Sequence, residues 1–165
     1  MACSTLMSAQ SPCDKVGEEG RLLLKKATPA ELDALCHCGA ASLALVKPSG
    51  MSLPECFRQM NELRSLTIEK AQYIRFPEVL LELEGLEHLT MAFAPIATLP
   101  EEMWRMSALK SLNLRGTNIN FLPDGLDFVE TIDLRFIDFT KAEQDAIRAQ
   151  YPQSAIYFSA PCRCF

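Results

Sequence analysis

The sequence predicts a fold of stacked repeats, and three observations lead there. First, residues 109–123 place apolar side chains at Leu109, Leu112, Leu114, Ile119 and Leu122, a spacing that is neither a helix period nor a strand alternation. Leu112 and Leu114 alternate as in a short strand with one buried face. Ile119 and Leu122 then return over the same core after a turn at Gly116 and Thr117. Second, the pattern recurs every 23 residues. Leu109, Leu112, Leu114, Thr117, Ile119, Leu122 and Pro123 are preceded by Leu86, Leu89, Met91, Ala94, Ile96, Leu99 and Pro100. Before those come Leu63, Leu66, Ile68, Ala71, Tyr73, Phe76 and Pro77, and before those Ala40, Leu43, Leu45, Pro48, Gly50, Leu53 and Pro54. Third, the intervening columns keep the same frame: Phe57, Leu80, Met103 and Leu126, then Met60, Leu83 and Met106. A further copy, Val129, Ile132, Leu134 and Ile137, follows after only 20 residues, so the back of the unit before it is short. One such unit cannot bury its own apolar face, so the copies must stack.

These residues resemble the leucine-rich repeat family in its form of about 23 residues ending in Leu-Pro, with wording similar to repeats of bacterial effectors and plant immune receptors. The resemblance implies an α/β fold: a right-handed solenoid with a parallel sheet on the concave face and short helical or 3-10 turns on the convex face. It covers residues 40–139, with repeats starting near 40, 63, 86, 109 and 129. One column departs from the family. Where the family places Asn, Cys or Thr after the strand, this chain has Pro48, Ala71, Ala94 and Thr117. Only Thr117 keeps a polar group, so the other turns must satisfy their backbone elsewhere.

Residues 1–15 read as a flexible tail, whose Ser-, Ala- and Gln-rich composition also suits a type III secretion signal. Residues 16–39 read as a helical cap of two helices. The first runs over 20–27; the second starts at Thr28, where Pro29 and Glu31 complete a capping box, and ends at Gly39. Residues 140–159 read as the opposite cap. Thr140 and Glu143 form another capping box, Ala142, Ala146, Ile147 and Tyr151 supply an inward stripe, and residues 154–158 add a last strand beside Ile132 and Leu134. Residues 160–165 are a second tail. Such end pieces shield the open core of a solenoid.

Composition narrows the function. The chain has 165 residues, 48% of them apolar, enough for one domain with a sizeable core. A net charge of −5 disfavours nucleic acid, which calls for a basic footprint. No apolar run is long enough to span a membrane, and the start lacks the pattern of a cleavable secretory signal. Seven cysteines without such a signal suggest a reducing compartment and free thiols. The expected setting is cytoplasmic, or secretion into a host cell without a cleavable signal peptide, as a monomer. Cys36, His37 and Cys38 lie at the opposite end of the repeats from Cys162 and Cys164, which disfavours a shared zinc site. Cys36 is expected to pack as a small apolar residue. Cys162-Arg163-Cys164-Phe165 fits a prenylation box only in part, because its middle positions are not aliphatic. A lipid-anchored signalling protein is therefore a lesser alternative. His37 and His88 stand in no catalytic pattern, so no enzyme, metal or cofactor is expected.

The expected function is non-catalytic binding of a protein partner on the concave face, as an effector or as an adaptor or inhibitor of an enzyme. Strand register puts Phe93 and Phe136 in one outward column on either side of Gly116, with Arg115 and Arg135 in the column beside it. Exposed aromatics with Arg make interface hot spots. With His88 they form the predicted binding face, the two rings about 10 Å apart and open to a partner over Gly116. The rings project to solvent in this reading; the alternative is that they fold against adjacent loops. Trp104, on the convex side, offers a second contact or else lies flat over a neighbouring turn, the latter being expected.

Overall fold

A computed structural model describes residues 12–17 and 19–160. Seven strands form one sheet in chain order: β1 (Arg21–Lys25), β2 (Ser42–Val46), β3 (Ser65–Glu69), β4 (His88–Ala92), β5 (Ser111–Asn113), β6 (Thr131–Leu134) and β7 (Ala155–Phe158). Every neighbouring pair is parallel. Leu22, Leu43, Leu66, Leu89, Leu112, Ile132 and Ile156 align across it in that register. The predicted strands thus stand where the columns placed them. The repeat also works as a packing device: the repeating apolar positions of residues 40–134 are buried, including Leu63, Leu86 and Leu109 at the start of each unit and Leu53, Phe76, Leu99 and Leu122 near its end.

The prolines set the convex side. Pro54, Pro77 and Pro100 precede 3-10 turns at Glu55–Gln59, Glu78–Glu82 and Glu101–Arg105. A fixed φ near −65° suits the entrance of a helical turn. Phe57, Leu80 and Met103 sit within these turns, fully buried. Pro123 is not followed by such a turn; β6 arrives first, which is where the sequence is three residues short.

The N-terminal part corrects the sequence reading. Residues 21–25 form β1, not a helix, and pair in register with β2. Leu22 and Leu24 point into the core while Leu23 stays exposed. Three consecutive leucines suit either period, and pairing with β2 decides between them. The helix α1 (Pro29–Leu35) starts as expected, with the Thr28–Glu31 capping box complete, but it ends at Leu35 with Cys36 as its C-cap, short of the expected Gly39. It connects β1 to β2, so it occupies the place in the chain that 3-10 turns occupy in later units.

The thiols are the second correction. Cys13 is bonded to Cys38 and Cys36 to Cys56. Residues 12–15, read as tail, form a 3-10 turn held to the segment after α1 by the first bond. The second fastens the end of α1 to the next convex turn. Cys36 is therefore a staple, not merely a packing residue. Residues 1–11, with any secretion signal, and the Cys162–Phe165 motif lie outside the described residues.

At the other end, α2 (Lys141–Gln150) starts on the Thr140–Glu143 capping box, and β7 joins β6 as expected. Its inward face differs from the predicted stripe: Gln144, Ile147 and Tyr151 are buried, whereas Ala142 and Ala146 are exposed. The Gln144 amide donates to the Phe139 carbonyl, and the Tyr151 hydroxyl to the Pro123 carbonyl. These bonds rotate the helix so that its longer polar side chains reach inward.

One core group is unsatisfied. Tyr73 occupies the column of Ile96 and Ile119, is fully buried, and its hydroxyl has no hydrogen-bond partner among the described residues. Burial pushes its ionisation up to about 12. A buried, unpaired hydroxyl destabilises by about 1–3 kcal/mol. Tyr73→Phe is therefore expected to raise the thermal midpoint; a lower midpoint in a denaturation series would show that the hydroxyl is satisfied.

Candidate protein-binding rim

The chain leaves each of the first six strands through a left-handed residue. Lys26, Lys47, Lys70, Phe93, Gly116 and Phe136 all have φ between 51° and 63°. Only Gly116 adopts this without steric penalty. The column is held by the sheet itself: the N–H groups of Lys26, Lys47, Lys70, Phe93 and Gly116 each donate to a carbonyl of the next rung, at 2.8–2.9 Å. Phe136, beside the last strand, donates instead to the Ser159 hydroxyl at 2.7 Å. Where Thr117 remains, its hydroxyl donates to the Leu114 carbonyl at 2.7 Å.

Two small residues shape the surface. In the register Glu69 lies beside Ala92, and Thr90 beside Asn113, which puts Arg115 on the far side of Ala92 from Glu69. Arg115 reaches over that rung, and its Nη2 donates to Glu69 Oε1 at 3.0 Å; Ala92 beneath is fully buried. In the next column Gly116 separates Phe93 from Phe136. A Cβ on Gly116 would lie 2.5 Å from Cδ1 of Phe93, so the Phe93 ring rests on the glycine backbone. The two rings are then 6.0 Å apart, tilted by 39°. The Arg115 guanidinium lies 5.4 Å from the Phe93 ring centre, within cation–π range. The predicted opening of about 10 Å between the rings is thus closed by the rings themselves. They remain exposed, Phe93 by 42% and Phe136 by 65%.

Both arginines are engaged within the chain. Arg135 Nε and Nη2 donate to Asp133 at 2.9 and 2.6 Å, and the Arg135 N–H donates to the same carboxylate at 3.1 Å. Burial alone would push the Asp133 carboxyl up. The Arg135 side-chain and backbone hydrogen bonds, with the charges of Arg135 and Arg115, outweigh it and hold the group below the ordinary carboxylate range. The Asn113 side-chain carbonyl accepts from the Arg115 backbone N–H at 3.2 Å. Arg115 Nε is buried without a partner among the described residues.

Phe93, Arg115, Arg135 and Phe136 therefore come together at the C-terminal ends of the strands. His88 does not. It is exposed at the opposite end of β4, five residues from Phe93, about 16 Å away at the strand rise. Trp104 lies in the convex turn Glu101–Arg105 and is 59% exposed. Sequence reasoning missed Glu69 and Asp133 as partners of the arginines, Tyr157, exposed beside Asp133 on β7, and Lys26, which sits in the rim column once β1 is recognised as a strand. The signal for Lys26 was a step of 21 residues back from Leu43 and Leu45 to Leu22 and Leu24.

The parallel sheet wound with short 3-10 turns fits a leucine-rich-repeat-like solenoid, and it carries an exposed aromatic pair at one rim. Among solved structures the chain is similar to a leucine-rich repeat protein of Leptospira interrogans, with 16% identity and a TM-score of 0.43, over 76% of this chain and 57% of that one. No family model and no curated protein matches the chain.

Proposed function

We propose that this chain is a non-catalytic protein-interaction module whose partner docks on the concave side, toward the C-terminal strands, at Phe93, Arg115, Arg135 and Phe136, with His88 at the far margin of the same face. The observation that carries this reading is the fixed exposure of two large apolar rings: Phe93 is braced by Gly116 beneath and Arg115 beside it, so little ordering opposes binding. The arginines, already neutralised by Glu69 and Asp133, contribute planar surface, and Arg115 braces the Phe93 ring. An effector, or an adaptor or inhibitor of an enzyme, would use such a surface in the same way. The disulfides favour action in an oxidising compartment over a reducing cytoplasm, since such bonds persist where thiols are not kept reduced.

The test is affinity capture with wild type, the Phe93→Ala and Arg115→Ala double variant, and Trp104→Ala. Hot-spot anchors contribute roughly 2 kcal/mol or more each, so the double variant is expected to weaken capture by well over tenfold. Its thermal midpoint should change little, because the Arg115–Glu69 pair is partly exposed. Capture that survives the double variant and fails with Trp104→Ala would place the working surface on the convex side.

A further inference from the structure

The rim column divides into two chemically distinct halves. Lys26, Lys47 and Lys70 hold its first three rungs, and Phe93, Gly116 and Phe136 the next three. We infer that this column is a single docking strip for an extended, acidic segment of a partner protein, with carboxylates set on the three lysines and an apolar side chain on the Phe93–Phe136 pair. This rests on the reading that the strand-end rim is the interaction surface, and adds the chemistry of the partner.

Charge complementarity is the main argument. All three lysines are exposed, and none forms an ion pair among the described residues. Farther along the rim, Arg115 and Arg135 each have a carboxylate of their own. On a chain of net charge −5, three uncompensated cations on adjacent rungs form a local positive strip that attracts and orients an acidic segment.

Geometry adds to this. Adjacent rungs are about 4.8 Å apart, so the lysine backbones span roughly 10 Å and the aromatic pair continues the same line. A hollow of about 670 Å³ lies between Lys47 and Lys70, bounded by residues 48–51, and gives a partner side chain room beside the ammonium groups. The left-handed backbone points the same way. Glycine would relieve it at every rung, yet five of the six positions carry long or aromatic side chains. Strained backbone of this kind clusters at ligand clamps and other functional sites.

The experiment selects peptides from a random phage-displayed library on the intact, oxidised protein. Peptides selected on wild type should be enriched in Asp and Glu next to an aromatic or aliphatic residue, and high salt should weaken their binding. The triple variant Lys26→Gln, Lys47→Gln, Lys70→Gln, verified by an unchanged melting curve, should bind them roughly tenfold or more weakly, and the triple Lys→Glu variant should select basic peptides instead. Selected peptides without acidic bias, or acidic peptides indifferent to the triple Gln variant, would overturn the proposal. If binding is then still lost with Phe93→Ala, the aromatic rim remains the interaction surface and only the acidic partner is wrong. If neither change matters, both readings fall. Lysine-dependent binding to phosphatidylserine vesicles, with no acidic peptide selected, would also overturn the proposal, because the strip would then face a membrane.

Discussion

Reducing both disulfides is expected to unravel the N-terminal end of the sheet while the C-terminal rungs stay folded. The bonds close loops with sequence separations of 25 and 20 residues. Constraint of the unfolded chain by loops of this size contributes about 3 kcal/mol each. Two such losses, about 6 kcal/mol, rival the 5–15 kcal/mol that stabilises a typical domain. In a solenoid each rung contacts only its neighbours, so the loss is felt where the staples sit. Both bonds fasten residues between Cys13 and Cys56, around β1, α1 and the first 3-10 turn on the convex side. Hydrogen exchange with and without reductant should therefore show Leu22, Leu24 and Leu43 losing protection while Leu112 and Ile132 keep theirs. Cys13, Cys36, Cys38 and Cys56 should resist alkylation until reductant is added. Unchanged protection and an unchanged midpoint after verified reduction would mean that the bonds stabilise nothing.

The second large effect is expected in the middle of the stack. Leu112 is fully buried on β5 between Leu89 and Ile132. Truncating a leucine in such a core removes its burial and leaves a cavity, destabilising by about 2–5 kcal/mol. Leu112→Ala should accordingly lower the denaturation midpoint sharply. Ser111, one position earlier, faces the concave side and is only half-buried. Ser111→Ala should change stability by no more than about 0.5 kcal/mol. The pair of variants reads out register directly, since a slip of one residue exchanges the two faces of a strand. Equal losses for the two would contradict the alignment of Leu112 with Leu89 and Ile132.

What was legible in the sequence is what depends on period and on local chemistry. The 23-residue columns placed β2 to β6, because each rung must bury the same side chains against the next. Pro54, Pro77 and Pro100 recur just before the convex turns, and the unit read as three residues short before Val129 is the one that lacks such a turn. Thr28–Glu31 and Thr140–Glu143 announced both helices, since a capping box is settled within four residues. Phe93, Arg115, Arg135 and Phe136 could be assigned to one end of the strands for the same reason. Tertiary structure decided the rest. Residues 21–25 became a strand because an edge of the sheet was available to pair with them, a long-range choice that three consecutive leucines cannot express. Four of the cysteines pair because folding brings Cys13 to Cys38 and Cys36 to Cys56 with Cα atoms 4.9 and 5.7 Å apart, distances no spacing rule contains. The surface of the rim was decided the same way. Gly116 was read as a gap between side chains, but removing bulk from one rung, there and at Ala92, lets its two neighbours meet. Glu69 and Arg115 therefore join above Ala92, and Phe93 leans toward Phe136 over Gly116, through contacts that exist only when three rungs are stacked.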